Sequence, residues 1–179
     1  YRPRKSARQA SLEIYKWLNY GLGTVIDVDI EGFFDHISHD RVLSFVRERI
    51  EDPYVNRMIK EWLRAGVVYL EKVTYPEEGT PQGGVISPLL ANIVLNKLDT
   101  WWSELGMNRR EVYNAQMVRY ADDIVILTDR KGGDAQYVME VLRGLLSELG
   151  LQLNEEKSRI TTAKQGFDFL SFHFMRRFY

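Results

Sequence analysis

Apolar residues recur at helical spacing near the start of the chain: Ala7, Ala10, Ile14, Trp17 and Leu18 fall on one face between Ser6 and about Tyr20, where Gly21 and Gly23 end the helix. Thr24 to Ile30 then alternates β-branched residues with acids, the pattern of a half-buried strand. Ser38 is placed to cap a helix reaching about Ile50, with Asp40 in its first turn, and Asp52-Pro53 opens another that stops near Ala65-Gly66. Val67 to Tyr75 reads as extended, and 79–84 as a loop. Ser87-Pro88 caps a long helix to about Leu105. Gln116–Tyr120 and Ile124–Leu127 flank an acidic turn, which predicts a hairpin. An amphipathic helix over Asp134–Leu149 closes at Gly150, and strands follow around Arg159–Thr162 and Phe167–Phe174. Helices and strands mix without strict alternation. This predicts an α+β fold with an antiparallel sheet backed by helices, in the order of the split βαβ, ferredoxin-like arrangement.

Composition narrows the classes. The 179 residues suit one domain, and 45% hydrophobic with 27% charged residues are globular proportions. The chain has no cysteine, which excludes disulfide frameworks, zinc knuckles, iron–sulfur sites and thiol nucleophiles. No apolar run approaches the roughly 20 residues of a membrane span. Lys and Arg number 24 against 25 Asp and Glu, a net charge of -1, whereas dedicated nucleic-acid binders are usually basic. That average hides two extremes: a basic head (Arg2, Arg4, Lys5, Arg8) and acids gathered at strand ends.

The acids carry the chemistry. Asp29 ends the first strand two residues after Asp27, so the two share a face. Asp122 and Asp123 sit in the turn of RYADDIVIL. Asp-Asp at a turn is ordinary turn chemistry, but adjacent acids at a tight hairpin need solvation or a cation. Hard carboxylate oxygens suit Mg²⁺. Two such ions about 4 Å apart can activate an attacking hydroxyl and stabilise a leaving pyrophosphate.

Six stretches resemble, in order, the palm of a bacterial reverse transcriptase of the group II intron (maturase) type: YRPRKSA, DIEGFFDHISHDRVL, GTPQGGVISPLLANIVLNKLD, RYADDIVIL, LGLQLNEEKSRI and FDFLSFHF. The resemblance implies a ferredoxin-like polymerase palm over residues 1–179, with fingers upstream and a thumb downstream. It implies RNA-directed DNA polymerase activity in the bacterial cytoplasm on an RNA (or DNA) template, a DNA primer and dNTPs, with two Mg²⁺ ions (or Mn²⁺ as substitute) and intron RNA as a further partner. Asp29, Asp122 and Asp123 match the catalytic metal ligands, with the Ile30 carbonyl as an extra one. Asp27 lies outside the matched position and reads as structural. Gly32 and Phe33 occupy a turn whose N–H groups meet the triphosphate. Phe34 matches the bulky residue under the nucleotide sugar that excludes a 2′-hydroxyl. Gln82 matches the lining of the nascent base pair, Gly83 a close backbone approach, and Lys157 a lysine near the pyrophosphate. Arg2, Arg4 and Lys5 match template-phosphate contacts.

The chain departs from the family pattern twice. Ser171 stands where the family's FLGF strand carries glycine, and Arg4 and Lys5 replace its usual glycine and arginine. His36, His39 and His173 have no ligand spacing. A non-catalytic RNA-binding or splicing scaffold is the competing reading, and the intact acid set speaks against it. An RRM-like reader would need exposed aromatics where these strands carry aspartates.

Overall fold

The computed structural model describes residues 5–65, 67–69, 72–74, 79 and 85–175. The chain runs α1 (Ala7–Asn19), β1 (Thr24–Val28), α2 (His39–Arg47), α3 (Pro53–Leu63), β2 (Val67–Tyr69), β3 (Lys72–Thr74), α4 (Ser87–Glu104), β4 (Gln116–Tyr120), β5 (Asp123–Thr128), α5 (Gly133–Glu148), β6 (Arg159–Thr162), β7 (Phe167–Phe169) and β8 (Phe172–Phe174). Local chemistry explains most boundaries. Ser6 caps α1 by accepting from the Gln9 N–H, Ser38 caps α2 through Arg41, and Asp52 caps α3 by accepting from Tyr54 and Val55 ahead of Pro53 at the first turn.

Two expectations are corrected and one, the extended stretch after Val67, is refined. The cap of α4 is Ile86, and Ser87 is already helical and buried, because the helix begins one residue earlier than the Ser-Pro signal suggests. The extended stretch after Val67 is the two-strand ribbon β2–β3. The strand expected over Phe167–Phe174 is a hairpin: Phe169 pairs with Phe172, and Leu170 and Ser171 turn the chain with φ of 50° and 65°. Two consecutive positive φ values define a type I′ turn.

The main sheet has the order β4-β5-β1-β6, and every pair is antiparallel. With one helical connection after β1 and another after β5, this is the ferredoxin-like arrangement. Alternation divides its side chains between two cores. Ile26, Val28, Ile124 and Ile126 face α2, α4 and α5, where Val42, Leu95, Leu98 and Leu142 pack. Val25, Val118, Val125 and Leu127 face α1 and the β7–β8 hairpin, against Ile14, Leu18, Phe167 and Phe169. No helix among the described residues is long and apolar enough to cross a membrane.

Candidate active site

The same alternation that buries Val25 and Val125 sets the acids on their face of the sheet. Asp27 and Asp29 follow Val25 at two-residue steps, and Asp123 precedes Val125 by two residues. Val28 pairs with Ile124, so the next register step brings Asp29 opposite Asp123. Opposed residues of this kind hold their Cβ atoms about 5 Å apart. Asp122 lies in the two-residue turn that joins Tyr120 to Asp123.

Asp29 is held by its backbone. Its N–H donates to Ser158 Oγ at 3.1 Å, and its carbonyl accepts from that hydroxyl at 3.2 Å and from the Asn154 N–H at 2.9 Å. Asn154 shapes the connecting turn by accepting from the N–H groups of Glu156 and Lys157. The turn brings Lys157 Nζ to 3.9 Å from Asp29 Oδ2, a loose and exposed pairing. Ile30 bridges Leu153, with flanking bonds from Glu31 N–H to the Gln152 carbonyl and from Asn154 N–H to Asp29. In that pairing the Ile30 carbonyl turns away from Leu153, towards the side where β5 and its acids lie.

The acidic turn is held differently. Ala121, its first central residue, takes φ 55°, a conformation alanine disfavours. The carbonyl of Ala121 accepts from Arg119 Nη1 at 2.8 Å. Burial pushes the Asp123 carboxyl above the ordinary carboxylate range, and its charged neighbours Asp122, Asp29 and Asp27 push in the same direction. Asp27 is also raised, chiefly by burial, even though Arg159 opposes it across β1 and β6 at 3.4 Å. Among the described residues the charges that raise Asp123 are those of Asp122, Asp29 and Asp27, and a divalent cation would offset them. Among the described residues no three acidic or imidazole side chains are grouped closely enough to hold a metal ion as they stand.

The remaining expected residues fall in the turn after Ile30, the β7–β8 turn, the start of α1 and segments outside the described residues. Gly32 opens the turn after Ile30, and its carbonyl accepts from the N–H groups of Asp35 and His36. The N–H groups of Gly32, Phe33 and Phe34 have no acceptor among the described residues. Phe33 is buried in the helix-side core, so only its backbone is available, while Phe34 is half-buried and packs edge-on to it. Gly79 locks this turn: its N–H donates to the Ile37 carbonyl, its carbonyl meets His39 Nε2 at 2.6 Å, and a Cβ there would lie 2.7 Å from the Asp35 carbonyl oxygen. His39 is therefore a structural latch. Ser171 is exposed in the β7–β8 turn, and the charge of Asp168 on that hairpin reaches Asp27. Lys5 is exposed and lines a cleft of about 580 Å³ between α1, α4 and β4 that ends at Ala121. Arg2, Arg4, Gln82 and Gly83 lie outside the described residues.

The sequence model of the family described as reverse transcriptase (RNA-dependent DNA polymerase) matches residues 4–174. The chain belongs to that family. It is 31% identical over 179 residues to Protein YkfC of Escherichia coli (strain K12), covering 86% of this chain and 47% of that protein. It is 28% identical over 230 residues to the group II intron-encoded protein LtrA of Lactococcus lactis subsp. cremoris, covering 96% of this chain and 38% of that protein. The chain thus spans less than half the length of either relative. Among solved structures, a telomerase from Candida tropicalis in complex with a TWJ fragment of telomeric RNA is similar with a TM-score of 0.73 over 93% of this chain and 31% of that one. At 12% identity that likeness bears on the fold, which is the polymerase palm type. Reverse transcriptases use divalent metal ions, and the carboxylates of this chain are a fitting donor set.

Sequence reasoning did not single out Ser158, Asn154, Arg119, Asp99 or Asn92. The visible signal for Arg119 was a charge at a strand position that alternation turns towards the helices. Such a charge requires a buried partner.

Proposed function

We propose that the chain is the palm of an RNA-directed DNA polymerase, which extends a primer 3′-hydroxyl from dNTPs on an RNA template. One observation carries the reading: Asp29 follows the end of β1, Asp122 lies in the β4–β5 turn, and Asp123 opens β5, the strand paired with β1. Asp29, Asp122 and Asp123 would hold two Mg²⁺ ions (Mn²⁺ as substitute), with the Ile30 carbonyl as a further ligand. When bound, the ions supply Lewis-acid charge that favours ionisation of the primer hydroxyl and offsets negative charge on the leaving pyrophosphate.

The rest falls to the chain's own groups. The Gly32–Phe34 N–H groups face the triphosphate, and Phe34 excludes a 2′-hydroxyl. Gln82 lines the nascent base pair, and Lys157 donates a proton to the departing pyrophosphate. Arg2, Arg4 and Lys5 neutralise template phosphates, while Gly83 and Ser171 lie along the nucleic-acid path. The relatives extend well beyond the matched region, so tests belong in the complete polypeptide that carries this chain.

The deciding experiment is Mg²⁺-dependent primer extension on an RNA template with Asp122→Ala. Extension should disappear while RNA binding persists. Extension that survives this change would remove the metal assignment, and a wild-type protein that binds RNA without extending a primer would favour the scaffold reading. Phe34→Ala should raise incorporation of ribonucleotides relative to deoxynucleotides by at least about tenfold, the scale of one steric contact.

A further inference from the structure

The last residue before the YADD segment is an arginine whose side chain is 2% exposed. Arg119 lies on β4 opposite Ile124. Alternation sends its neighbour Val118 into the core beneath α1, so Arg119 points to the other face, where α4 packs. A buried guanidinium needs a partner for its charge and acceptors for its N–H groups. The fold supplies both. Nε and Nη2 donate to the two oxygens of Asp99 at 2.9 and 2.7 Å, a bidentate fork. Nη1 donates to Asn92 Oδ1 at 3.1 Å. Asn92 is itself oriented, because its amide nitrogen donates to the Pro88 carbonyl at 2.9 Å. Asn92 and Asp99 stand two helical turns apart on α4, so one rigid helix fixes the guanidinium plane at two points.

The fourth acceptor is the Ala121 carbonyl, at 2.8 Å from Nη1. This oxygen belongs to the peptide that joins Ala121 to Asp122, the central peptide of the turn. In mirror-image hairpin turns the types I′ and II′ differ mainly by a flip of that peptide, which makes it the soft coordinate of the turn. Ala121 is at φ 55° and Asp122 is not at positive φ, the pattern of a type II′ turn, and the Arg119 hydrogen bond holds its central peptide in that state. A flip would rotate the backbone of Asp122 and re-aim its carboxylate.

We propose that Arg119 is a positioning residue: braced by Asp99 and Asn92, it holds the Ala121–Asp122 peptide in the orientation that aims the Asp122 carboxylate into the metal site. The inference rests on the polymerase reading above. It assigns no chemistry to Arg119, which acts through Asp122 alone. Lysine could keep the charge but not the planar fork that reaches Asp99, Asn92 and the carbonyl together.

The test uses the complete polypeptide, with two readouts that a purely structural ion pair would not move. One is the affinity for Mn²⁺, read from the electron paramagnetic resonance signal of the free ion. The other is the single-turnover extension rate at saturating dNTP. Arg119→Met should weaken Mn²⁺ binding about tenfold, the scale for loss of an outer-shell partner. The extension rate should fall about 10²-fold, the effect of a small misplacement at a reacting centre, with little change in the KM for dNTP. Arg119→Lys should fall between wild type and Arg119→Met. Asn92→Ala, which leaves the Asp99 fork intact, should shift both readouts in the same direction by less. It carries the test if Arg119→Met does not fold. Variants that melt earlier yet bind Mn²⁺ and extend primers like wild type, at a temperature where all are folded, overturn this inference alone. A wild-type protein that binds no Mn²⁺ overturns the polymerase reading and this inference with it.

Discussion

Two hairpins border the acidic face, and each reverses in two residues without a glycine. Between β4 and β5 the turn is Ala121-Asp122, with Ala121 at φ 55°; between β7 and β8 it is Leu170-Ser171, at 50° and 65°. The first is tied from outside the hairpin: Arg119, braced on α4, holds the Ala121 carbonyl. The second is held by packing, because Leu170 rests on the core beneath α1 and Phe167 stacks on Phe174, while Ser171 is exposed. Backbone strain of similar kind is thus secured in two ways. A hydrogen bond to the turn's own peptide fixes orientation, which matters where a carboxylate must be aimed. Apolar packing fixes position and leaves the exposed residue of the turn at its own conformational cost.

This contrast predicts a graded set of outcomes. The largest effect belongs to Arg119→Met, whose expected loss of about 10²-fold in extension rate has no counterpart at the β7–β8 turn. Next is the other fastening of the site: Ser158→Ala removes the hydroxyl that both accepts from and donates to the Asp29 backbone. It should cost about 1–3 kcal/mol, read as a lower midpoint in urea unfolding, and Ser158→Thr should restore most of it. At the β7–β8 turn the sign reverses. Ser171→Gly relieves a positive φ at an exposed residue and should stabilise by up to about 1 kcal/mol, after the greater entropy of glycine in the unfolded chain is deducted. Leu170→Gly should destabilise, because the lost packing outweighs the relieved backbone. Equal responses at Leu170 and Ser171 would break the distinction between packed and exposed turn residues.

The smallest effect is in pH dependence. The Asp123 carboxyl is raised, so in the metal-free fold it binds its proton more tightly than in the unfolded chain. Such a group adds stability below the ordinary carboxylate range and withdraws it as pH rises through the raised value. Asp123→Asn should therefore melt slightly above wild type at neutral pH without metal, with the gap closing in acid. Mg²⁺ should narrow the neutral-pH gap by stabilising wild type more than the variant. A gap that widens in acid would contradict the raised carboxyl.

Much of this arrangement was legible in the sequence. The caps at Ser38 and Asp52, the acidic hairpin and the shared face of Asp27 and Asp29 follow from periods and short-range chemistry that a single chain displays. The reversal at Leu170-Ser171 was hidden because neither residue favours the positive φ that a two-residue turn requires, and the φ values come with the pairing of Phe169 with Phe172. The start of α4 was misplaced by one residue, since a Ser-Pro pair signals a helix entry without saying whether serine caps it or begins it. The supports of the site were the least legible part. Ser158 reaches Asp29 across 129 residues and Arg119 reaches Asp99 across 20, and no local pattern announces either bond. The family's glycine at the position of Ser171 also gains a physical reason here, because the turn demands a positive φ there.

The most direct test of the central claim is the Mn²⁺ stoichiometry of the complete polypeptide, with a dideoxy-terminated primer on an RNA template and the matching dNTP. The measurement would compare wild type with Asp29→Asn, Asp122→Asn and Asp123→Asn. Two ions bound by wild type, with at least one lost or strongly weakened in each variant, is the expected result. Undiminished binding of both ions in all three variants would contradict a metal site built on Asp29, Asp122 and Asp123.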